Sequence, residues 1–220
     1  MKLNKNKFNY QSPLIMGVCN LTKDSFSDGG QNYRTSDALN NIKKMWEQGA
    51  SIIDIGAEST KPGSDPITYK KEIKKLEPIL KKIPKNKFII SIDSNKIETQ
   101  EFALKHGAHI INDIFGGNEE LFLLTKKYKS GLILMHPPAA PKLMQKKINE
   151  YTDVILDIKK FFANKIKKID QKKISRKKIW LDPGIGFGKN LEQNLKIINQ
   201  IKKFRMYNCG LLIGASRKSW

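Results

Sequence analysis

The chain of 220 residues has little cysteine and histidine and no long uninterrupted apolar segment. Its two cysteines, Cys19 and Cys209, form no CxxC pair and belong to no Cys/His cluster. This pattern excludes a disulfide scaffold and a zinc site and fits a reducing cytoplasm. The apolar stretch 14–18 is short and runs into polar Asn20. We therefore expect a cytoplasmic protein with no signal peptide, membrane span or membrane partner.

Arginine is also scarce, although the formal net charge is +20. Nucleic-acid readers use arginine for bidentate contacts and aromatic residues for stacking, whereas this charge comes mainly from lysine. Many lysines fall between apolar helix positions, as at Lys74, Lys75, Lys81 and Lys82, which is typical of solvated outer faces. We expect no nucleic-acid partner. A charge of this sign also helps to attract anionic substrates.

Several catalytic motifs are missing. The sequence has no H-E-x-x-H and no G-x-S-x-G, and its three histidines are scattered, so metalloprotease and serine hydrolase functions are excluded. The glycine-rich segment 181–190 runs G-x-G-x-G and ends in Gly188-Lys189-Asn190, which matches neither a dinucleotide fingerprint nor a Walker A loop. Its glycines instead predict a tight turn that lets a flat ligand approach the backbone beside Asp182.

Short β-branched runs alternate with helical patterns along the whole chain. The candidate strands are 14–20, 51–58, 88–93, 109–114, 131–136, 178–183 and 211–216. Apolar residues spaced by three or four mark the helices between them, for example Leu39, Ile42 and Trp46, and later Ile155, Ile158, Phe162, Ile166 and Ile169. This alternation predicts an α/β fold with a parallel sheet. With no linker or low-complexity tract present, we expect one domain spanning residues 1–220.

Polar residues recur where the predicted strands end. They are Asn20, Glu58, Asp93, Asn112, His136 and Asp182, followed by Ser216, Arg217 and Lys218. A TIM-type (β/α) barrel gathers such ends on the face where barrel enzymes carry out chemistry. Independent helix caps, such as Asp93-Ser94 or Asn112-Asp113, are the alternative explanation. A shared site of this composition suits a hard cation that holds phosphate oxygens, with carboxylates that read a planar, amidine-like edge.

Two polar loops follow the first two predicted strands. Residues 21–36 contain Gly29-Gly30, and residues 58–66 carry Lys61. Each loop is either a plain surface connection or a segment that orders over a substrate, with Lys61 available for an anion.

Seven segments together resemble the dihydropteroate synthase family. They are MGVCNLTKDSFSDGG (16–30), GASIIDIGAESTKPG (49–63), ISIDSNK (90–96), GAHIINDI (107–114), LMH (134–136), LDPGIGFGKNLEQN (181–194) and GASRKS (214–219). The segments occur in the order found in the family and cover nearly the whole chain.

The resemblance implies transfer of a 6-hydroxymethyl-7,8-dihydropterin group from its pyrophosphate to the amine of 4-aminobenzoate, with Mg²⁺ as cofactor. It implies that Asn20 contacts the magnesium ion and that Thr60 lies beside the pyrophosphate. Asp93, Asn112, Asp182 and Lys218 resemble the residues that hold the pterin, and Phe26, Pro62 and Ser216 match positions around 4-aminobenzoate. Lys218 and Arg217 are the candidate catalytic cations.

The chain departs from the family pattern at three places. Ala57 replaces a usual glycine, and Lys61 stands where arginine is common. The sequence reaches Trp220 just after the seventh predicted strand, so we expect an incomplete (β/α)8-type barrel with about seven of its eight βα units and without the family's Arg-x-His motif. We expect weak or absent turnover from such a form. The resemblance also implies a homodimer, which in the family pairs through the C-terminal helices.

Two other functions remain possible at this point. A pterin-binding methyltransferase domain shares the barrel and the pterin-reading Asp and Asn, but the segments GASRKS and DSFSDGG count against it. An inactive remnant or a basic binding module is the non-enzymatic alternative. Dependence on 4-aminobenzoate distinguishes the first alternative, and salt-sensitive nucleic-acid binding distinguishes the second.

Overall fold

The computed structural model of the chain describes residues 13–21, 31–58, 65–137 and 151–215, with residues 31–34 described by their backbone alone. Strands and helices alternate strictly through these ranges. The strands are β1 (Met16–Asn20), β2 (Ile52–Gly56), β3 (Ile89–Asp93), β4 (Ile110–Asp113), β5 (Gly131–Met135), β6 (Ile179–Asp182) and β7 (Gly210–Leu211). The helices are α1 (Gln31–Glu47), α2 (Tyr69–Lys82), α3 (Ile97–Lys105), α4 (Glu119–Tyr128), α5 (Val154–Gln171) and α6 (Leu191–Asn199).

The chain divides into two compact units, Met1–Asn112 and Asp113–Trp220. In the first unit, β1 pairs with β2, β2 with β3 and β3 with β4, and every pair is parallel. In the second unit, β5 pairs with β6 and β6 with β7, again in parallel. All seven predicted strands are therefore present, and their parallel pairing confirms the prediction from the alternating pattern. The prediction of a single domain stays a prediction.

The helices form where the apolar spacing predicts them. On α5 the five residues of the predicted stripe, from Ile155 to Ile169, are all buried. The start of α5 is capped by Asp153, whose Oδ1 accepts a hydrogen bond from Ile155 N (3.1 Å). A capping box between Asn190 and Gln193 begins α6 in the same way. Such caps satisfy backbone donors that have no partner within the helix.

The core lies against the strands. Every residue of β2 and of β5 is buried, as expected for parallel strands, whose two faces are both covered. Each buried Ile or Leu side chain stabilises the fold by about 1.5–3 kcal/mol relative to an exposed one. Seven parallel strands with intervening helices make an incomplete barrel of the TIM type, and the predicted fold class is confirmed.

The seventh strand is shorter than predicted. The sequence pattern indicates a strand over 211–216, but β7 consists of Gly210 and Leu211, and residues 212–215 have no regular structure. A side chain at position 210 would overlap the indole of Trp180, which explains the glycine there. Within the described residues β7 is paired to β6 alone, and Ile213 is 52% exposed. A strand that pairs along one edge only, and whose residues are only half-buried, has few packing contacts to stabilise it. This accounts for the short length of β7.

Candidate active site

A row of polar strand ends crosses the first unit. In the parallel register Asn20 pairs with Gly56, and Gly56 pairs with Asp93. Asp93 in turn pairs with Asn112. Asn20 is exposed, Asp93 is half-buried and Asn112 is buried, so the row runs from solvent into the protein. The prediction that these strand ends lie side by side is confirmed for the three polar residues.

Glycine at position 56 keeps the middle of this row open. A Cβ atom there would lie 3.1 Å from Asn20 Oδ1 and 3.5 Å from Asp93 Oδ2. The two side-chain oxygens therefore border the same small space above Gly56. An amide oxygen and a carboxylate are both oxygen donors of the kind that hard cations prefer.

A buried carboxylate supports the inner end of the row. Asn112 Nδ2 donates a 2.9 Å hydrogen bond to Oδ2 of Asp54, which lies within β2 and is 4% exposed. Burial raises the pKa of Asp54, while the neighbouring Ser91 hydroxyl and the Asn112 amide act in the opposite direction. Sequence reasoning did not single out Asp54, because it lies inside an apolar strand rather than at its end.

A second polar cluster lies at the starts of helices α2 and α3 in the first unit. Glu72, 1% exposed, accepts hydrogen bonds from Ser94 Oγ (2.9 Å) and Thr99 Oγ1 (2.6 Å). Lys96 Nζ lies 3.2 Å from Glu72 Oε1 and also forms an ion pair with Glu58. Burial lowers the pKa of Lys96, but the two carboxylates outweigh it, so the pKa is raised and the ammonium stays charged. The cluster thus ties the residue that follows β2 to the start of α2 and of α3.

In the second unit, Asp182 ends β6 and organises the turn that follows. Its Oδ1 accepts a 2.8 Å hydrogen bond from Gly184 N, and its carbonyl oxygen accepts one of 2.8 Å from His136 N. Gly184 has φ +70°, and a side chain there would overlap the carbonyl oxygen of His136. The tight glycine turn predicted beside Asp182 is therefore present, and it brings backbone close to a buried carboxylate.

His136 and Lys189 are buried next to this turn. Lys189 Nζ donates to Gly184 O (2.9 Å) and to Phe187 O (3.0 Å). Burial, assisted by the charge of Lys189, lowers the pKa of His136 from 6.5 to about 3. The His136 ring packs edge-on against Phe161, with 5.1 Å between centroids. His136 is therefore a neutral, packed residue at neutral pH rather than a general base.

This burial predicts a loss of stability in acid. At pH 5 the unfolded chain, in which the His136 pKa is near 6.5, binds a proton that the folded chain does not. The free energy of unfolding should be unaffected by His136 well above pH 6.5 and should fall by about 2 kcal/mol between pH 7 and pH 5. Urea denaturation at both pH values measures this loss in the original chain and in His136→Gln, where it should shrink. His106→Gln, which leaves His136 in place, is the control. An equal acid loss in His136→Gln and the original chain would contradict the assignment.

The remaining predicted site residues lie outside the described ranges. They are Phe26, Thr60, Pro62, Ser216, Arg217 and Lys218, together with Lys61 and the Gly29-Gly30 pair. Of the described ones, the structure brings Asn20, Asp93 and Asn112 into one row, and it places Asp182 at the end of β6 in the second unit. The prediction that all of these residues converge on one mouth stays a prediction.

Metal and membrane features are absent from the described ranges. These ranges contain no group of three or more His, Cys, Asp or Glu side chains arranged to hold a metal ion. His109, one of the scattered histidines, accepts a hydrogen bond from Ile90 N through Nδ1 (3.0 Å) and so completes strand pairing. None of the helices in this part of the chain is long and apolar enough to cross a membrane.

Comparison with known proteins matches this architecture. The family described as pterin binding enzyme matches residues 16–220. The dihydropteroate synthase of Escherichia coli strain K12 is 39% identical over 210 residues, which cover 94% of this chain and 74% of that protein. The chain therefore belongs to the pterin-binding enzyme family. Relatives such as those of Escherichia coli and Synechocystis are dihydropteroate synthases, and the chain is a transferase of folate biosynthesis.

Solved structures lead to the same group. Xanthomonas albilineans dihydropteroate synthase with 4-aminobenzoic acid is 28% identical, with a TM-score of 0.85, over 94% of this chain and 74% of that one. The Clostridium difficile enzyme in the presence of pteroic acid is 35% identical, also with a TM-score of 0.85, over 94% of this chain and 78% of that one. The incomplete barrel of this chain is thus the dihydropteroate synthase fold.

Proposed function

We propose that the chain catalyses the dihydropteroate synthase reaction. In this reaction 6-hydroxymethyl-7,8-dihydropterin pyrophosphate and 4-aminobenzoate give 7,8-dihydropteroate and pyrophosphate. The observation that carries the proposal is the pair of buried polar side chains, Asn112 and Asp182, at strand ends of a chain that belongs to this group. No observation favours a methyltransferase or a polyanion-binding module over this function.

The proposed role of Asp182 and Asn112 is to read the pterin. The amino-pyrimidine edge of a pterin presents two parallel N–H donors, and a carboxylate can accept both. Asp182 is 8% exposed, so such hydrogen bonds would form in a largely desolvated place. In the proposed role, the Asn112 amide both donates to and accepts from the pterin, which fixes the orientation of the ring, and Asp93 supplies a further acceptor.

The chemistry needs charge neutralisation more than a base. The C–O bond between the pterin methylene group and pyrophosphate breaks, and the aniline nitrogen of 4-aminobenzoate forms the new C–N bond. The proton that the aniline nitrogen loses leaves with pyrophosphate or solvent. We assign Lys218 and Arg217 to the catalytic cations that stabilise the departing charge, with Lys218 also contacting the pterin. The remaining assignments are Thr60 beside the pyrophosphate and Phe26, Pro62 and Ser216 around 4-aminobenzoate.

The proposed cofactor is Mg²⁺, held on the protein side by Asn20. Magnesium commonly keeps several waters and binds through one or two protein oxygens plus substrate phosphates. The donor set fits this mode, because the amide oxygen of Asn20 borders the space above Gly56 and Asp93 Oδ2 borders it from another side. When bound, the ion would neutralise charge on the leaving pyrophosphate. Asn20 would orient it, and Asp93 would remain available to the pterin.

The space above Gly56 gives a direct test of this cation site. Gly56→Ala should fold normally, but its Cβ would displace Asn20 Oδ1 slightly, since 3.1 Å is closer than ordinary van der Waals contact. A loss of about 1 kcal/mol in one polar contact corresponds to roughly a five-fold higher Mg²⁺ concentration at half-maximal turnover. Titration of turnover with Mg²⁺ measures this shift, while the KM for 4-aminobenzoate serves as the internal control. An unchanged Mg²⁺ requirement would remove Asn20 from the cation site.

The proposed reaction is tested by product formation. The purified chain is incubated with dihydropterin pyrophosphate, labelled 4-aminobenzoate and Mg²⁺, and 7,8-dihydropteroate is separated by chromatography. We expect slow formation of product, above that of a reaction without protein, and no product when either substrate is omitted. Product formation that does not require 4-aminobenzoate, or no product together with no pterin binding, would refute the proposal.

We further propose that the chain acts in the cytoplasm as a homodimer. Sedimentation at micromolar concentration would test the oligomeric state.

A further inference from the structure

The interior of the first unit contains a buried acid that none of the roles above uses. Asp54 lies in the middle of β2, between Ile53 and Ile55, and its side chain is 4% exposed. Ser91, its register partner in β3, is fully buried. A carboxylate at such a position loses most of its hydration, and burial raises the pKa of Asp54 accordingly. An apolar residue at position 54 would be more favourable for packing than an acid, which suggests that Asp54 serves a function.

The stability of the strand does not explain Asp54. Its Oδ2 accepts one hydrogen bond, from Asn112, and the Ser91 hydroxyl favours the carboxylate electrostatically. Within the described residues, however, neither Asp54 Oδ1 nor Ser91 Oγ makes a hydrogen bond of ordinary geometry. A buried polar atom without a partner is costly, so the stability of the strand does not account for an acid at this position.

The single strong contact of Asp54 determines the orientation of an amide. The two ends of an asparagine side chain have nearly the same shape, so an asparagine with no fixed partner can present either its oxygen or its nitrogen. A carboxylate accepts hydrogen bonds and cannot donate them. The 2.9 Å contact from Asn112 Nδ2 to Asp54 Oδ2 therefore directs the nitrogen of Asn112 toward β2 and its oxygen away from it.

We infer that Asp54 is a positioning residue for pterin recognition, because it fixes which way round the Asn112 amide is presented to the ring. The inference rests on the proposed function, in which Asn112 binds the pterin. The pterin ring presents its hydrogen-bond donors and acceptors at fixed positions. The Asn112 amide can bind it only if the amide oxygen faces a donor of the ring and the amide nitrogen faces an acceptor. Asp54 acts through Asn112 and does not itself contact the substrate.

Two replacements of Asp54 separate this role from packing. Asp54→Leu keeps the volume and removes the acceptor, whereas Asp54→Asn keeps an oxygen that can accept from Asn112. Ser91→Ala removes the buried hydroxyl at the position paired with Asp54 in β3 and is the matched control. Calorimetry with 6-hydroxymethyl-7,8-dihydropterin pyrophosphate should show Kd raised about 10- to 100-fold in Asp54→Leu and less than about 3-fold in Asp54→Asn and Ser91→Ala. The KM for 4-aminobenzoate should not move in any of the three variants. Wild-type pterin affinity in a folded Asp54→Leu variant would overturn the inference.

A second measurement needs no ligand. The NMR signal of the Asn112 side-chain NH2 group is assigned in nitrogen-15 spectra as the signal that disappears in Asn112→Asp. The rate at which its hydrogens exchange with solvent is then measured. The amide should be protected in the original chain and in Asp54→Asn and should lose protection in Asp54→Leu. If Asp54→Leu does not fold, then weakened pterin binding by Asp54→Asn with an unchanged Asn112 amide would overturn the inference. A chain that binds no pterin refutes the proposed function, yet this spectrum still decides whether Asp54 positions Asn112.

Discussion

Replacing Asp182 by Asn should weaken the binding of 6-hydroxymethyl-7,8-dihydropterin pyrophosphate by roughly a thousand-fold. In the proposed complex the variant turns one acceptor oxygen into a donor opposite an N–H of the pterin, so two charge-assisted hydrogen bonds worth about 1.5–3 kcal/mol each would be lost or opposed. The amide oxygen that the substitution leaves can still accept from Gly184 N, so the turn after β6 should persist. Calorimetric titration of the folded variant with the pterin substrate measures the effect.

The matched control for this experiment is Asp170→Asn. Asp170 is a carboxylate of the same unit, but it lies at the surface in an ion pair with Arg176. Its replacement should leave pterin affinity unchanged, which rules out a general effect of lost negative charge. If Asp182→Asn bound the pterin within about three-fold of the original chain, Asp182 would be only the residue that shapes the turn at Gly184.

The second large effect is on stability. Replacing Glu72 by Leu should lower the free energy of unfolding by about 3–5 kcal/mol, because it removes the fully buried one of the two carboxylates that pair with Lys96 and leaves only the half-buried Glu58. It also removes the acceptor for Ser94 Oγ and Thr99 Oγ1, which are then buried without this partner. Equilibrium denaturation in urea, followed by circular dichroism, measures the change.

The same helix supplies the control for Glu72. Glu77 lies on α2 but is exposed and pairs with Lys81 one turn away. Glu77→Gln should alter the urea midpoint little, since exposed ion pairs contribute weakly to stability. Similar urea midpoints for the two variants would mean that the cluster around Glu72 does not stabilise the contact of Glu58 with the starts of α2 and α3.

The strand positions and their polar ends could be predicted from the sequence because both have local signals. The run of isoleucines before Asp93 and the run of apolar residues before Asp182 each mark a strand by composition alone. In a parallel sheet the ends of neighbouring strands lie side by side, so the row of Asn20, Asp93 and Asn112 follows from the order of the strands. The strand 211–216 was predicted too long, because composition does not report how many neighbours a strand has.

The supporting residues had no such signal, because their roles depend on partners distant in sequence. Asp54 meets Asn112 across 58 positions, and nothing near Asp54 indicates that contact. Glu72 had one visible sign, since it occupies the apolar face of α2 with Leu76 and Ile79. The prediction for Lys75 was wrong: it is half-buried and donates to Ala57 O (2.9 Å) rather than lying on a solvated face. Long side chains reach polar groups that helical spacing alone does not reveal.

The central claim is the proposal that Asn112 and Asp182 each form hydrogen bonds to a bound pterin. A crystal structure of the chain with 6-hydroxymethyl-7,8-dihydropterin pyrophosphate bound tests it most directly. We predict that the Asp182 carboxylate accepts two hydrogen bonds from the amino-pyrimidine edge and that the Asn112 amide contacts the same ring with its nitrogen still directed to Asp54. A pterin bound elsewhere, or one touched by only one of the two residues, would contradict the account.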